Sequence, residues 1–520
     1  MGVFLAGAGV PGGMEAVEAP PRQSAVDVGR VARECRGADA APSPRGGAEP
    51  LSPDAVRQIE ALRAGVARME ASDDAGSSEP GGQFTQVHEN DLARVVVVCA
   101  PGIPKMMGAL HPAGSLYERP VNLETAKAEH RGLRAALRRF GVKVLSVREI
   151  LRYGLDDNLR HRVELEDFCM GSLHYCQRES SEGYSGSVSE RGKGGGRGVQ
   201  QDETQATALR FHLSDEYKRQ VLESMGHEQL IDVAFTNPTV YVQGSYRDTG
   251  ISAEYSFRPL TNLVFSRDQQ ITTARGIVMA SLRSEQRDTE GRLMRFCLDK
   301  IGLPVIGDVK PPGFLEGGDF FPAGEDLCFI GVGLRSNMDA CKQLMERDLL
   351  GTRRVAVVLD KFDQSQDRMH LDCVFSIIHD DCVLLLEDIM GPEAPGRRLV
   401  AEFVRGADGH YRPVDGPEVE FSEFLQLNGF NIIPITPQQQ LEYACNILNL
   451  GDGNILSAHA ESARHLCRSP HFKGQIQHVP FDAVTAMYGA LHCSTQVVSR
   501  APLPRRVAKQ PARRDREDAE

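Results

Sequence analysis

The sequence predicts an α/β protein. Strands recur through residues 258–498 with helical stretches between them, and a strand, helix, strand run occupies 95–145. Several of these strands are continuous β-branched runs, the pattern of strands buried on both faces. Hydrophobic residues make up 41% of the 520, enough for a real core in two to four domains or in one large domain with arms.

Composition excludes some classes. A net charge of −12 argues against general nucleic-acid binding, which favours a basic surface. No run of about 18 apolar residues is present, so no membrane span is expected. Residues 1–11 lack the basic start and cleavage site of a secretory signal. The 12 cysteines show no Cys-x-x-Cys spacing. Cys99, Cys328, Cys373 and Cys382 fall in apolar strands, where a small buried thiol is the plain reading. A reducing, cytoplasmic setting is therefore expected rather than a disulfide scaffold or a zinc site.

Residues 1–90 are rich in Gly, Ala, Pro and Ser and read as a disordered arm. Within the arm, Ser52-Pro53 is a helix start, and Val56, Ile59, Leu62, Val66 and Met69 make an apolar stripe that can dock on the body or on a partner. The body is placed at 91–500, with order beginning at Arg94. Val95 to Cys99 reads as a buried strand ended by Ala100-Pro101-Gly102. Asn122 caps a helix whose Leu133, Leu137 and Phe140 share a face, Gly141 stops it, and 142–145 is the next strand.

Residues 155–245 read as a helical insertion around a mobile loop at 180–205. The glycine-rich run at 192–198 lacks the order of a phosphate loop and reads as a linker. Further strands are expected at 262–265, 327–332, 355–359, 373–378, 382–386, 431–435, 454–457 and 477–479. Repeated β/α modules at this spacing suggest one large domain with internal pseudo-symmetry. Residues 501–520 form a basic, solvated tail.

Chemistry-bearing residues cluster in a few short stretches. In Phe314-Leu315-Glu316-Gly317-Gly318-Asp319-Phe320, two carboxylates flank a Gly-Gly pair inside an apolar run. Carboxylates in such surroundings are normally paired or hydrogen-bonded, and Gly-Gly permits close backbone approach. His370 and Asp372 lie two apart in a segment entering a strand, so both point to one face while Leu371 and Cys373 point to the other; an ordinary exposed strand face has the same pattern. Asp268 follows Arg267 directly after an apolar stretch. Cys493 has small residues before it and hydroxyls after it, although a buried structural cysteine is the commoner fate. His492 would alternate away from Cys493 in an extended chain and is not taken as its base.

The ordered set Asn-x-x-Phe-x-Arg-Asp (262–268), Glu-Gly-Gly-Asp (316–319), Arg-Ser-Asn (335–337), Met-His-Leu-Asp (369–372) and His-Cys-Ser-Thr (492–495) resembles the arginine deiminases, within the guanidino-group modifying superfamily. The resemblance covers roughly 94–500. It implies a five-bladed, pseudo-symmetric α/β propeller with a helical insertion and a central site. It implies Cys493 as nucleophile, Asp268 and Asp372 as the guanidinium clamp, Glu316 as binder and proton mover, and His370 as acid then base. Arg335, Arg287 (in Arg-x-x-Glu) and Asn262 fall at substrate-contacting positions, the arginines at carboxylate-binding ones; Asp319 reads as structural. The implied activity is hydrolysis of L-arginine to citrulline and ammonia through an S-alkylthiouronium.

No cofactor or metal is required by that chemistry, and the cysteines and histidines show no ligand cluster. The expected partner is a small guanidine; self-association is compatible with it. The family's glycine-rich loop carries an arginine before the nucleophile. Here the loop is Ala486-Met487-Tyr488-Gly489-Ala490, with Tyr488 near the place of that arginine. The rival readings are an amidinotransferase, which passes the same intermediate to an amine, and a non-catalytic arginine-binding protein.

Overall fold

In a computed structural model, the residues described are 51–73, 84–178, 209–244 and 251–504. Of the expected disordered arm at 1–90, residues 1–50 and 74–83 lie outside them, as do the 180–205 loop and the tail beyond 504. The helix Pro53–Asp73 is present. Ile59 and Leu62 are buried in a core cluster with Leu165 and Leu298, so its apolar stripe docks on the body.

The chain reuses one unit. An edge strand runs antiparallel to a central strand, which then pairs in parallel with a third. Gln270–Thr272, Ile277–Met279 and Val305–Asp308 do this first. Phe320–Pro322, Leu327–Val332 and Arg354–Leu359 do it next, in a sheet widened by Leu399–Arg405. The pattern repeats in Phe375–His379, Cys382–Leu386 and Asn431–Ile435, and again in Leu448–Gly451, Asn454–Ser457 and Gln475–His478. In the remaining unit Gln496–Ala501 is antiparallel to Leu92–Val98, which is parallel to Lys143–Ser146. That unit ties the two ends of the body together.

The parallel steps need a crossover, and amphipathic helices supply several of them. Leu123–Arg139 is one; the Asn122 side chain accepts from the Thr125 amide, Leu133 and Leu137 are fully buried, and Gly141 at φ +75° follows its end. Phe140 does not share the buried face. It sits at the C-cap, where the helix has ended, and is 38% exposed.

The insertion is helical at Leu159–Met170, Asp215–Ser224 and His227–Thr236. It also carries its own sheet, His174–Gln177, Pro238–Gly244 and Ile251–Phe257. No helix among the described residues is long and apolar enough to cross a membrane.

Three local expectations change. The body's first strand starts at Leu92, and buried Glu89, Asn90 and Asp91 precede it. Residues 262–265 form a turn closed by Phe265 N–H to Asn262 O, because this apolar run packs its side chains without a strand partner. Leu371–Cys373 is a 3₁₀ turn, and the strand begins only at Phe375, so Cys373 is half-buried outside any strand. Cys99, Cys328 and Cys382 are buried, and all the described cysteines are free.

Candidate active site

The chemistry-bearing side chains share a topological address. Asp268 lies just ahead of the edge strand Gln270–Thr272, and Glu316 and Asp319 just ahead of Phe320–Pro322. His370 and Asp372 precede Phe375–His379, and Cys493 precedes Gln496–Ala501. Each belongs to a turn that enters the first strand of a unit.

Glycine makes the closest approach possible. A Cβ on Gly317 would stand 2.0 Å from the Arg267 carbonyl oxygen and 2.8 Å from that of Gln270. A Cβ on Gly318 would stand 2.9 Å from His370 Nδ1 and 3.1 Å from Asp372 Oδ2. The Gly-Gly pair therefore packs one turn against the backbone of the next and brings His370 and Asp372 to its surface. Asp319 locks this turn. Its Oδ2 accepts from Ser336 Oγ at 2.5 Å and its Oδ1 from the Leu371 amide at 2.8 Å. Burial raises its carboxyl to about 6, against these two hydrogen bonds and the His370 charge.

His370 Nε2 donates to Glu316 Oε2 at 2.8 Å. The other Glu316 oxygen accepts from the Arg283 amide. Burial by itself would push the imidazole down, but the Asp268 charge and the Glu316 hydrogen bond outweigh it and raise His370 to about 10. Burial opposes ionisation of Glu316 too, yet the His370 hydrogen bond and charge, with Arg287 and Arg335, lower it to about 2. The pair is thus imidazolium and carboxylate.

Cys493 is 4% exposed. Its Sγ lies 3.4 Å from Asp372 Oδ2, which also accepts from His492 Nδ1 at 2.8 Å. The two neighbours meet the same carboxylate because the chain turns at 491–494 instead of running extended. Phe321 stacks on the His492 ring. Burial, then the Asp372 and Asp268 charges, hold the Cys493 thiol well above its ordinary value. Asp372 is lowered: burial raises it, but the His492 hydrogen bond and charge prevail.

Arg287 is 5% exposed and spends its fork on carboxylates. Nη1 donates to Asp268 Oδ2 at 2.8 Å, Nε and Nη2 donate to Glu290 Oε2 at 3.0 and 2.8 Å, and Glu316 Oε2 is 3.8 Å away. Burial lowers its pKa, but the Glu290, Asp268 and Glu316 charges raise it overall. Arg287 thus holds the acids, and a ligand carboxylate would have to displace them. Asn262 Nδ2 donates to the Ser115 carbonyl. Arg335 Nη2 donates to Gln366 Oε1, while its buried Nε has no partner. Asp268 Oδ1 is likewise buried and unpartnered. Both are buried polar atoms with no hydrogen-bond partner among the described residues.

Sequence reasoning found no ligand cluster of cysteine and histidine. The fold nonetheless brings ligand atoms of Asp268, Glu316 and His370 within 4.8 Å of one another, a spacing that also suits a metal ion. His370 Nε2 is taken up by Glu316 and Asp268 Oδ2 by Arg287, and carboxylates so placed also match the N–H fork of a planar organic cation.

One residue escaped the sequence reading. Asn446 Nδ2 lies 3.0 Å from Cys493 Sγ, and its Oδ1 accepts from the Cys493 and Ala490 amides. Its signal was its position, just ahead of Leu448–Gly451, the first strand of its own unit.

A family model described as arginine deiminase matches residues 196–500. The chain is 22% identical over 325 residues to the arginine deiminase of Halobacterium salinarum, covering 47% of this chain and 65% of that protein, just under two thirds of its length. It is 22% identical over 360 residues to that of Streptococcus agalactiae, covering 66% and 79%. Among solved structures it is similar to an amidinotransferase from Microseira wollei, at 13% identity and a TM-score of 0.45, covering 81% of this chain and 98% of that one.

Proposed function

This chain belongs to the arginine deiminase family, and from that premise we propose that it hydrolyses the guanidino group of L-arginine to give citrulline and ammonia. The observation that carries the reading is the meeting of a thiol, an imidazolium-carboxylate pair and the open Asp268 oxygen in one buried cluster. We read the five like-connected sheets as blades around that cluster, within a catalytic body at 91–500.

Asp268 and Asp372 grip the flat guanidinium, and the open Oδ1 of Asp268 takes one of its N–H groups. The substrate's charge offsets the carboxylates that keep Cys493 protonated, so binding favours the thiolate, with the thiol proton released to solvent. The thiolate attacks the guanidino carbon, and a carbon–sulfur bond forms. His370, held as imidazolium by Glu316, gives its proton to the departing nitrogen; the carbon–nitrogen bond breaks and ammonia leaves. The now neutral His370 takes a proton from water, whose oxygen adds to the thiouronium carbon. The carbon–sulfur bond breaks, the hydroxyl proton passes to the departing sulfur, and citrulline leaves with Cys493 a thiol again. Arg335, with its open Nε, receives the substrate carboxylate.

The test is incubation with arginine, with and without glycine, followed for citrulline and ornithine, together with acid quench and mass spectrometry of the peptide carrying Cys493. Citrulline and a covalent adduct on Cys493 are expected. Ornithine formed only with glycine would reassign the enzyme as an amidinotransferase, and binding without turnover would make it an arginine-binding protein.

A further inference from the structure

Four of the five repeated units place an acid, imidazole or thiol of the cluster at the entry to their first strand; the remaining unit places Asn446 there. We propose that Asn446 is a catalytic residue, whose carboxamide N–H stabilises the Cys493 thiolate. This deepens the deiminase reading and rests on it for the role of Cys493.

The orientation of the amide is decided by its surroundings. Oδ1 faces two backbone donors, Ala490 N–H at 3.1 Å and Cys493 N–H at 3.2 Å. Only an oxygen can accept them, so Nδ2 must face the other way. There it meets Cys493 Sγ at 3.0 Å and the Asp372 carbonyl oxygen at 3.5 Å. One side chain thus fixes the backbone that carries the sulfur and points a donor at the sulfur. The donor is buried with Asn446, which is 1% exposed.

The charges nearest the thiol oppose ionisation. Asp372 and Asp268 both raise the cost of a thiolate, whereas the Asn446 hydrogen bond lowers it. An N–H aimed at sulfur is worth more to the anion than to the neutral thiol. It serves the attack on substrate, and it serves again when the carbon–sulfur bond breaks and the thiolate returns as leaving group.

The test is Asn446→Ala, which removes the donor without adding a charge, beside Asn446→Asp, which keeps an oxygen for the two backbone amides but adds a carboxylate that by itself also raises the thiol. The readout is the pH dependence of Cys493 alkylation by iodoacetamide without substrate, with the modified peptide quantified by mass spectrometry so that exposed Cys467 is counted apart. The apparent thiol pKa is expected to rise by about one to two pH units, the size of a hydrogen bond to a charged atom. Where arginine is turned over, kcat is expected to fall about 10- to 100-fold with KM changed less. An unchanged alkylation profile in whichever variant retains the wild-type thermal midpoint overturns the proposal. Alkylation needs no turnover, so failure of the deiminase reading, seen as wild-type protein without citrulline, is a separate result.

Discussion

Glu316 Oε2 and His370 Nε2 lie 2.8 Å apart, and the two side chains are 0% and 4% exposed. This buried contact sets the protonation state of the group proposed as acid and base. Without the Glu316 carboxylate the Asp268 and Asp319 charges still oppose burial, but the imidazole is held less far above its ordinary value. Glu316→Gln is therefore expected to move the basic limb of the rate profile to lower pH and to cut kcat about 100-fold or more. Initial rates of citrulline formation from pH 5 to about 10 check this.

The same pair makes stability depend on pH. His370 is raised from 6.5 to about 10, so its contribution is whole below 6.5 and is lost as pH rises through about 10. Glu316 is lowered from 4.5 to about 2, so its contribution is whole above 4.5 and is lost as pH falls through about 2. The stability gap between wild type and Glu316→Gln is expected to be widest between these ordinary values and to shrink toward either extreme. Denaturant unfolding of both proteins across pH measures it.

Cys493→Ala is expected to lower turnover by about 10⁴-fold or more while leaving the fold intact, since it removes only a buried thiol. Activity that survives the substitution, measured with the adduct on the quenched peptide, would remove Cys493 from the reaction.

Arg287→Met leaves Asp268 and Glu290 buried beside the space its guanidinium filled. Breaking a buried charge pair from one side costs about 3–5 kcal/mol. Arg287→Lys keeps a charge but loses the fork, and is expected to fall between Met and wild type. Equilibrium unfolding ranks the three.

Gly317→Ala forces a methyl to 2.0 Å from a backbone oxygen, and no flexible side chain can move aside. Destabilisation of about 3 kcal/mol, at the upper end for overpacking, is expected, with loss of turnover as the Glu316 turn shifts. A folded Gly317→Ala protein with wild-type stability would show that the two turns are not packed as described.

Elements whose cause is local can be read from the residues alone. Cys382–Leu386, Asn431–Ile435 and Asn454–Ser457 were legible because β-branched and apolar runs admit little else. The helix capped by Asn122 was legible because its cap, stripe and stop glycine all agree. Glu316, His370, Asp372, Asp268 and Cys493 were legible as types in an order. Tertiary structure alone decided what each of them touches. It put His492 and Cys493 on one carboxylate by turning the chain, and it turned Arg287 onto acids. It also brought Asn446 to the sulfur, 47 residues away in the chain. An asparagine before a strand has many uses; only the packing of separate turns against one another gives it a thiol to hold.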